Sequence, residues 1–177
     1  MDFNTDKFHK LVHYICSKCD DQSTLGATKL NKILWFSDVL SYINWSSPIT
    51  GETYLKRQFG PVPSRILATL ENLQANSLIT VREANYLGYA KKEYISNSEP
   101  DISVFSSDEI SLIDDVIGSV TQKHTARSIS DLTHNDVWEM AGIGETIPYE
   151  SIFVSRLGEI DEIDVTWAGE QLDNRVA

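Results

Sequence analysis

Apolar residues recur at helical spacing through most of the chain. Between residues 28 and 43, Leu30, Ile33, Leu34, Val39, Leu40 and Ile43 follow a 3.6-residue period. Trp35 and Phe36 widen that face, which predicts a central helix buried on most sides, with Thr28 as its N-cap after Gly26. An earlier helix is expected from Asn4 or Thr5 to about Cys19, with Phe8, Leu11, Val12, Ile15 and Cys19 inward. Later helices are expected at 64–76 (Ile66, Leu67, Leu70, Leu73) and after Ser106-x-x-Glu109, a capping box preceding Ile110, Ile113, Val116, Ile117 and Val120. A shorter one follows Thr125, with Ile129 and Leu132 inward, and a last one covers 148–156 with Pro148 in its first turn and Ile152 and Phe153 inward.

Period-two and β-favouring runs are fewer. Residues 78–83 and 89–96, joined through Gly88, read as a β-hairpin. Residues 44–59, with Pro48 and Gly51, read as a loop carrying a short edge strand at Thr53–Gln58 and ending in the turn Phe59-Gly60-Pro61-Val62-Pro63. The expected fold is therefore mainly α: about six helices around the 28–43 helix, with one inserted β-hairpin. Residues 1–158 form one domain, and 159–177 an acidic tail in which Ile160, Ile163, Val165 and Trp167 stand among carboxylates. Such a tail suits a partner's groove, and packing of Trp167 back on the body is equally open.

Composition changes this picture little. A 177-residue chain with 41% hydrophobic residues can bury ~70% of its unfolded surface as one domain. No apolar run is long enough to span a membrane, and Met1–Asp6 is polar and acidic, without the basic start and apolar core of a signal peptide. A cytoplasmic protein with no membrane contact is expected.

Charge adds more. Residues 1–97 hold 11 Lys/Arg against 9 Asp/Glu, a net of +2, whereas residues 98–177 hold 4 against 17, a net of −13. The acidic half argues against nucleic acid or an anionic membrane as main partner. It suits a basic protein partner, and solubility alone explains it equally well.

Candidate chemistry is sparse. His9, His13 and Cys16 share one face of the first helix and could supply three zinc ligands, but no second pair lies elsewhere to complete a tetrahedral site. Cys16-x-x-Cys19 falls near a helix C-terminus beside Asp20 and Asp21, where a thiolate is disfavoured. His134, among Asp131, Asp136 and Glu139, has the type of a general base, yet no nucleophile accompanies it by spacing. A turn-capping His134 with Trp138 in the core is the favoured reading. Gly142-Ile143-Gly144 lacks the lysine and third glycine of a phosphate loop. No catalytic, metal or cofactor site is assigned. Helix 64–76 followed by a hairpin also resembles a winged helix, with Arg82, Lys91 and Lys92 on the wing, but the would-be reading helix offers only Arg65, Asn72, Gln74 and Asn76 as base readers.

One combination of motifs is more specific. Lys29-Leu30-x-Lys32-Ile33-Leu34-Trp35-Phe36, then Phe59-Gly60-Pro61-Val62, then Leu132-Thr133-His134 with Trp138, resembles in order and spacing the Panacea family of SocA-like antitoxin domains, also GepA-like in phage-related proteins. The similarity spans roughly residues 5–155. Trp35 stands where the family usually has Tyr, and Pro63 where a non-proline is common. The resemblance implies a non-enzymatic antitoxin of a toxin–antitoxin system. It would neutralise a cognate toxin by direct protein contact, or, as one SocA-like member does, hand it to a protease. It carries Lys29, Lys32, Trp35, Phe36, Phe59, Gly60, Pro61, Val62, His134 and Trp138 as family-motif or partner-binding positions. Gly60 and Pro61 would set the turn and Trp35 and Phe36 fill core. Lys29 and Lys32, three apart on one helix face, are the candidates for surface contact. The contact face is left open between the hairpin tip, the 44–58 insert and the acidic tail.

Overall fold

A computed structural model describes residues 2–19, 24–86 and 88–154. Helix α1 (Thr5–Lys18) is capped by Asn4, whose side chain accepts from the Lys7 amide. Helix α2 (Ala27–Trp45) has Gly26 rather than Thr28 at its N-cap and so has no side-chain cap. Strands β1 (Tyr54–Arg57) and β2 (Gly60–Pro63) follow, then α3 (Ile66–Ala75), β3 (Ile79–Tyr86) and β4 (Tyr89–Ser96). Helix α4 (Ser107–Lys123) carries the expected capping box of Ser106 and Glu109. Three short helices, α5 (Ala126–Asp131), α6 (Asp136–Met140) and α7 (Ser151–Val154), and one short strand, β5 (Thr146–Ile147), complete the described chain.

The expectation of a mainly-α domain with about six helices and one inserted hairpin is overturned. The described chain is 51% helical and 17% strand, with seven helices and five strands in two small antiparallel sheets. Hairpin β3–β4 is the inserted pair that the two β-favouring runs predict, running from Ile79 opposite Ser96 to Tyr86 opposite Tyr89. The second sheet, in the order β2-β1-β5, has the short strand expected at 53–58 as its centre instead of an edge, and its two flanking strands are unexpected. Its β2 is Gly-Pro-Val-Pro, which reads as a turn because proline offers no amide to a ladder, and it survives as a strand because it lies on the sheet edge. Strand β5 has two residues, too few to show a period, and is held by Tyr54 opposite Ile147 and Leu55 opposite Thr146. Smaller expectations also fail. Leu67 and Leu132 are exposed instead of inward, Phe153 is 44% exposed, and Pro148 precedes α7 instead of standing in its first turn.

Helix α2 is the centre. Leu30, Ile33, Leu34, Trp35 and Val39 are buried on it, and so are the polar Lys32, Ser37, Asp38 and Ser41. It packs against α1, α4, α5, β2 and β4, so partners cover it on nearly every side. Burial of each large apolar side chain contributes roughly 1.5–3 kcal/mol, and the same enclosure penalises any polar group on the helix left without a partner; Asp38 and Ser41 have one, whereas Lys32 Nζ and Ser37 Oγ do not. Asp38, fully buried, accepts from the Thr50 amide (2.7 Å), the Thr50 hydroxyl (2.6 Å) and the Tyr54 hydroxyl (2.8 Å). Burial pushes its carboxyl up to about 6, against the pull of those three donors. Glu52, also buried, accepts from the Thr53 amide, the Ser64 hydroxyl and Arg65. Trp35 meets Tyr54 edge to face at 4.9 Å and stacks on Tyr149 at 6.0 Å. These contacts hold the 44–63 segment against α2 as a fixed part of the fold. Residues 155–177, and with them the expected acidic tail, lie outside the described residues.

Replacing Asp38 with Ala strands three buried donors at once. The expected result is a loss of about 2–4 kcal/mol in urea unfolding at neutral pH, and a change below ~0.5 kcal/mol would remove Asp38 from this role.

Candidate functional site

The motif residues from three distant parts of the chain meet beneath the β1–β2 turn. Arg57 pairs with Gly60 across a turn formed by Gln58 and Phe59. Gly60 has φ +101, a conformation that side-chain-bearing residues avoid. A Cβ there would run into Lys32 Nζ and Thr133 Oγ1. The aromatic-Gly-Pro sequence thus needs glycine for two reasons, backbone conformation and close approach. Lys32 rises from α2 into that space and is 1% exposed. Its Nζ has no hydrogen-bond partner, and burial alone lowers its pKa to about 7.

The segment between α5 and α6 closes the other side. Thr133 donates to the Ser130 carbonyl at 2.8 Å. Asn135 caps α6 through the Trp138 amide at 2.9 Å. His134 lies flat on Trp138, with ring centroids 3.7 Å apart and planes 8° apart. Desolvation, then the nearby Lys32 charge, lowers the His134 pKa, so its imidazole is held toward the neutral form. His134 Nε2 and Trp138 Nε1 are buried without a partner. Lys56, on β1, reaches across to this segment. Its Nζ lies 4.2 Å over the Trp138 ring and donates to the Glu139 and Ala141 carbonyls at 3.1 and 2.8 Å. A cation at the last carbonyls of a short helix, also facing an indole, is favoured by both the helix dipole and the ring quadrupole. The backbone of Lys56 also bonds Glu145 and Gly144, which fastens the 142–147 loop to the same strand.

The remaining motif positions divide by environment. Trp35 and Pro61 are buried, and Phe36 is half-buried against the core. Lys29 is half-buried and donates to the Thr121 carbonyl at 3.1 Å, tying α2 to the end of α4. Lys29 and Lys32 therefore do not form a shared exposed face: one binds a carbonyl and the other is sealed under Gly60. Phe59 is 56% exposed. It lines an open groove of about 640 Å³ with Asn31, Lys32, Arg57, Val62 and Ile143.

The other candidates are placed elsewhere. His13 is buried and within 3.0 Å of the Ser96 hydroxyl, and Cys16 is buried with its thiol pushed up to about 12 by desolvation and the adjacent Cys19. Cys16 and Cys19 are not joined in a disulfide, and among the described residues no three His, Cys, Asp or Glu side chains group as metal ligands. Arg65, the one arginine of the would-be reading helix, is turned onto Glu52 (2.8 Å) and lies 4.2 Å over the Phe3 ring. On the wing, Arg82 pairs across the hairpin with Glu93 at 2.6 Å. Among the described residues no helix is long and apolar enough to cross a membrane.

These features define a small α+β domain whose sequence motifs serve mainly to lock a β-turn, a central helix and a helix junction together. The chain belongs to the SocA-like antitoxin family: the family model described as "Antitoxin SocA-like, Panacea domain" matches residues 30–139. The matched range takes in Lys32, Gly60, His134 and Trp138 and begins one residue after Lys29. No curated protein and no solved structure matches the chain.

Sequence reasoning missed Lys56, Arg57 and Ile143. Lys56 and Arg57 fell in a stretch read as a minor edge strand, and Ile143 in a glycine-flanked connection. The sequence Tyr54-Leu55-Lys56-Arg57 does not alternate apolar with polar residues, so the burial of Lys56 beside Tyr54 is visible only in the fold.

Lys32 makes a pH-dependent contribution with a definite sign. Its pKa falls from 10.5 unfolded to about 7 folded, so between those values the unfolded chain binds the extra proton and stability rises with pH. Below pH 7 the penalty is complete. Lys32→Met is therefore expected to stabilise the protein by roughly 3 kcal/mol at pH 7, with the advantage shrinking as pH approaches 10. Urea unfolding of both proteins at the two pH values checks this, and a destabilised Met variant at pH 7 would contradict it.

Proposed function

We propose that this protein is a non-enzymatic antitoxin that acts in the cytoplasm and neutralises a cognate toxin by direct, stoichiometric contact. The observation that carries this reading is the match of the SocA-like antitoxin model across residues 30–139. The geometry supports it. Of the family-motif side chains, Lys32 is buried and His134 and Trp138 are half-buried against the protein itself, and the exposed features beside them are a cationic, apolar-walled groove and a β-turn. A surface of that kind suits recognition of another protein.

The test is co-expression with the open reading frame encoded beside this one. The expected result is that the neighbour alone arrests growth, that this protein restores it, and that the two co-purify in equal amounts. Following the toxin's level during rescue separates two routes. A constant level means occlusion, and a level that falls only while this protein is present means delivery to a protease. A harmless neighbour, or rescue with neither co-purification nor loss of toxin, would overturn the reading.

A further inference from the structure

We propose that the groove at the N-terminal end of α2, walled by Phe59 and Ile143, receives an acidic, apolar-flanked peptide segment of the protein partner. This names the contact surface within the antitoxin reading, on which it rests. The walls are two large apolar side chains that the fold leaves in solvent, Phe59 at 56% and Ile143 at 68% exposure. Between them stand Lys32 and Arg57, and among the described residues no Asp or Glu lines the groove. Lys32, almost completely buried, has an ammonium with no partner of its own.

The cationic character continues past the groove. Ala27 and Thr28 belong both to it and to a second depression of about 550 Å³, which carries Lys29, Lys91 and Lys92. Lys91 lies against Gly26, and its charge, after desolvation, helps lower the Lys29 pKa. Gly26 caps α2 without a side chain and no acidic residue occupies its first turn, so among the described residues no carboxylate of that turn offsets the positive end of a 19-residue helix. Arg57, Lys29, Lys91 and Lys92 and a helix N-terminus thus gather at one end of a chain whose net charge is −11, with Lys32 sealed under Gly60 beside them. Carboxylates on a partner relieve that concentration of like charge, and a neighbouring Leu, Ile or Phe covers Phe59 and Ile143. A peptide fits better than a nucleic acid. The polar residues Asn31, Arg57 and Gln58 stand between apolar walls formed by Phe59, Val62 and Ile143, which offer burial to apolar side chains, and the acidic remainder of the chain repels a long polyanion.

The test pans a phage-displayed random dodecapeptide library on the immobilised full-length protein, so it needs no toxin and its failure leaves growth rescue unaffected. The expected outcome is enrichment of sequences that place Asp or Glu beside Leu, Ile or Phe. A synthetic peptide of the leading sequence should lose about tenfold or more in Kd on Arg57→Glu and on Phe59→Ser, and weaken with added salt. Both positions are exposed, so circular dichroism should show an unchanged fold. No enrichment over the bare support, enriched peptides without carboxylates, or a Kd indifferent to both substitutions overturns the proposal. Three further outcomes overturn it by naming another occupant. They are binding of a labelled DNA duplex that Arg57→Glu abolishes, a dimer by light scattering that Phe59→Ser makes monomeric, and peptide binding that appears only when Asp161, Glu162 and Asp164 are replaced by their amides.

Discussion

A single buried carboxylate fixes the geometry on which the motif depends. Asp38 is enclosed by the core, and the three hydrogen bonds it accepts all come from the segment after α2. Without them the 46–53 stretch would be tied to the helix chiefly by the Ser41–Ser47 bond and β1 by the Trp35–Tyr54 ring contact. With them, Tyr54 is pinned by its hydroxyl and by the Trp35 ring, β1 runs from that point, and the turn at its end places Gly60 directly over Lys32. Glu52 makes a matching set of bonds toward α3. A polar network inside an apolar centre costs desolvation, and in return it admits few alternative arrangements, because each misplaced donor would be left unsatisfied.

How much of this was legible depends on the length of the signal. The long helices were, since Leu30, Ile33, Leu34 and Val39 repeat over several turns and the Ser106–Glu109 box marks a start with side-chain chemistry. Hairpin β3–β4 was, through two β-favouring runs, 78–83 and 89–96, joined by a Gly88-bearing loop. The second sheet was not, because β2 carries two prolines and β5 has two residues, so its existence is decided by tertiary pairing with β1. Helix α6 and its Asn135 cap were missed for the same reason of size. Of the candidate site, the residue types were readable and their environments were not. Lys32 and Lys29 lie three apart on one helix, which suggests a common face, yet burial depends on what crosses above, and only the turn at Gly60 distinguishes them.

Placement also changes how the ionisable groups behave. Lys32 and His134 are basic residues by composition, but desolvation drives both toward their neutral forms. Lys56, by contrast, meets two carbonyls and an indole face. The same residue type therefore serves as a filled space in one place and as a clamp between a strand and a helix end in another. Counting charges along the chain could not separate these roles.

The edge strand β2 limits how a partner can engage this sheet. Pro61 and Pro63 remove two of its four amides, and the opposite edge, β5, is two residues long. An incoming extended chain would find too few backbone donors in register to continue either edge, so strand addition, a mode of recognition that is largely indifferent to side chains, is closed on both sides. Recognition through this region must be read from side chains, and discrimination between partners can then be altered by surface substitutions without touching the hydrogen-bonded frame beneath.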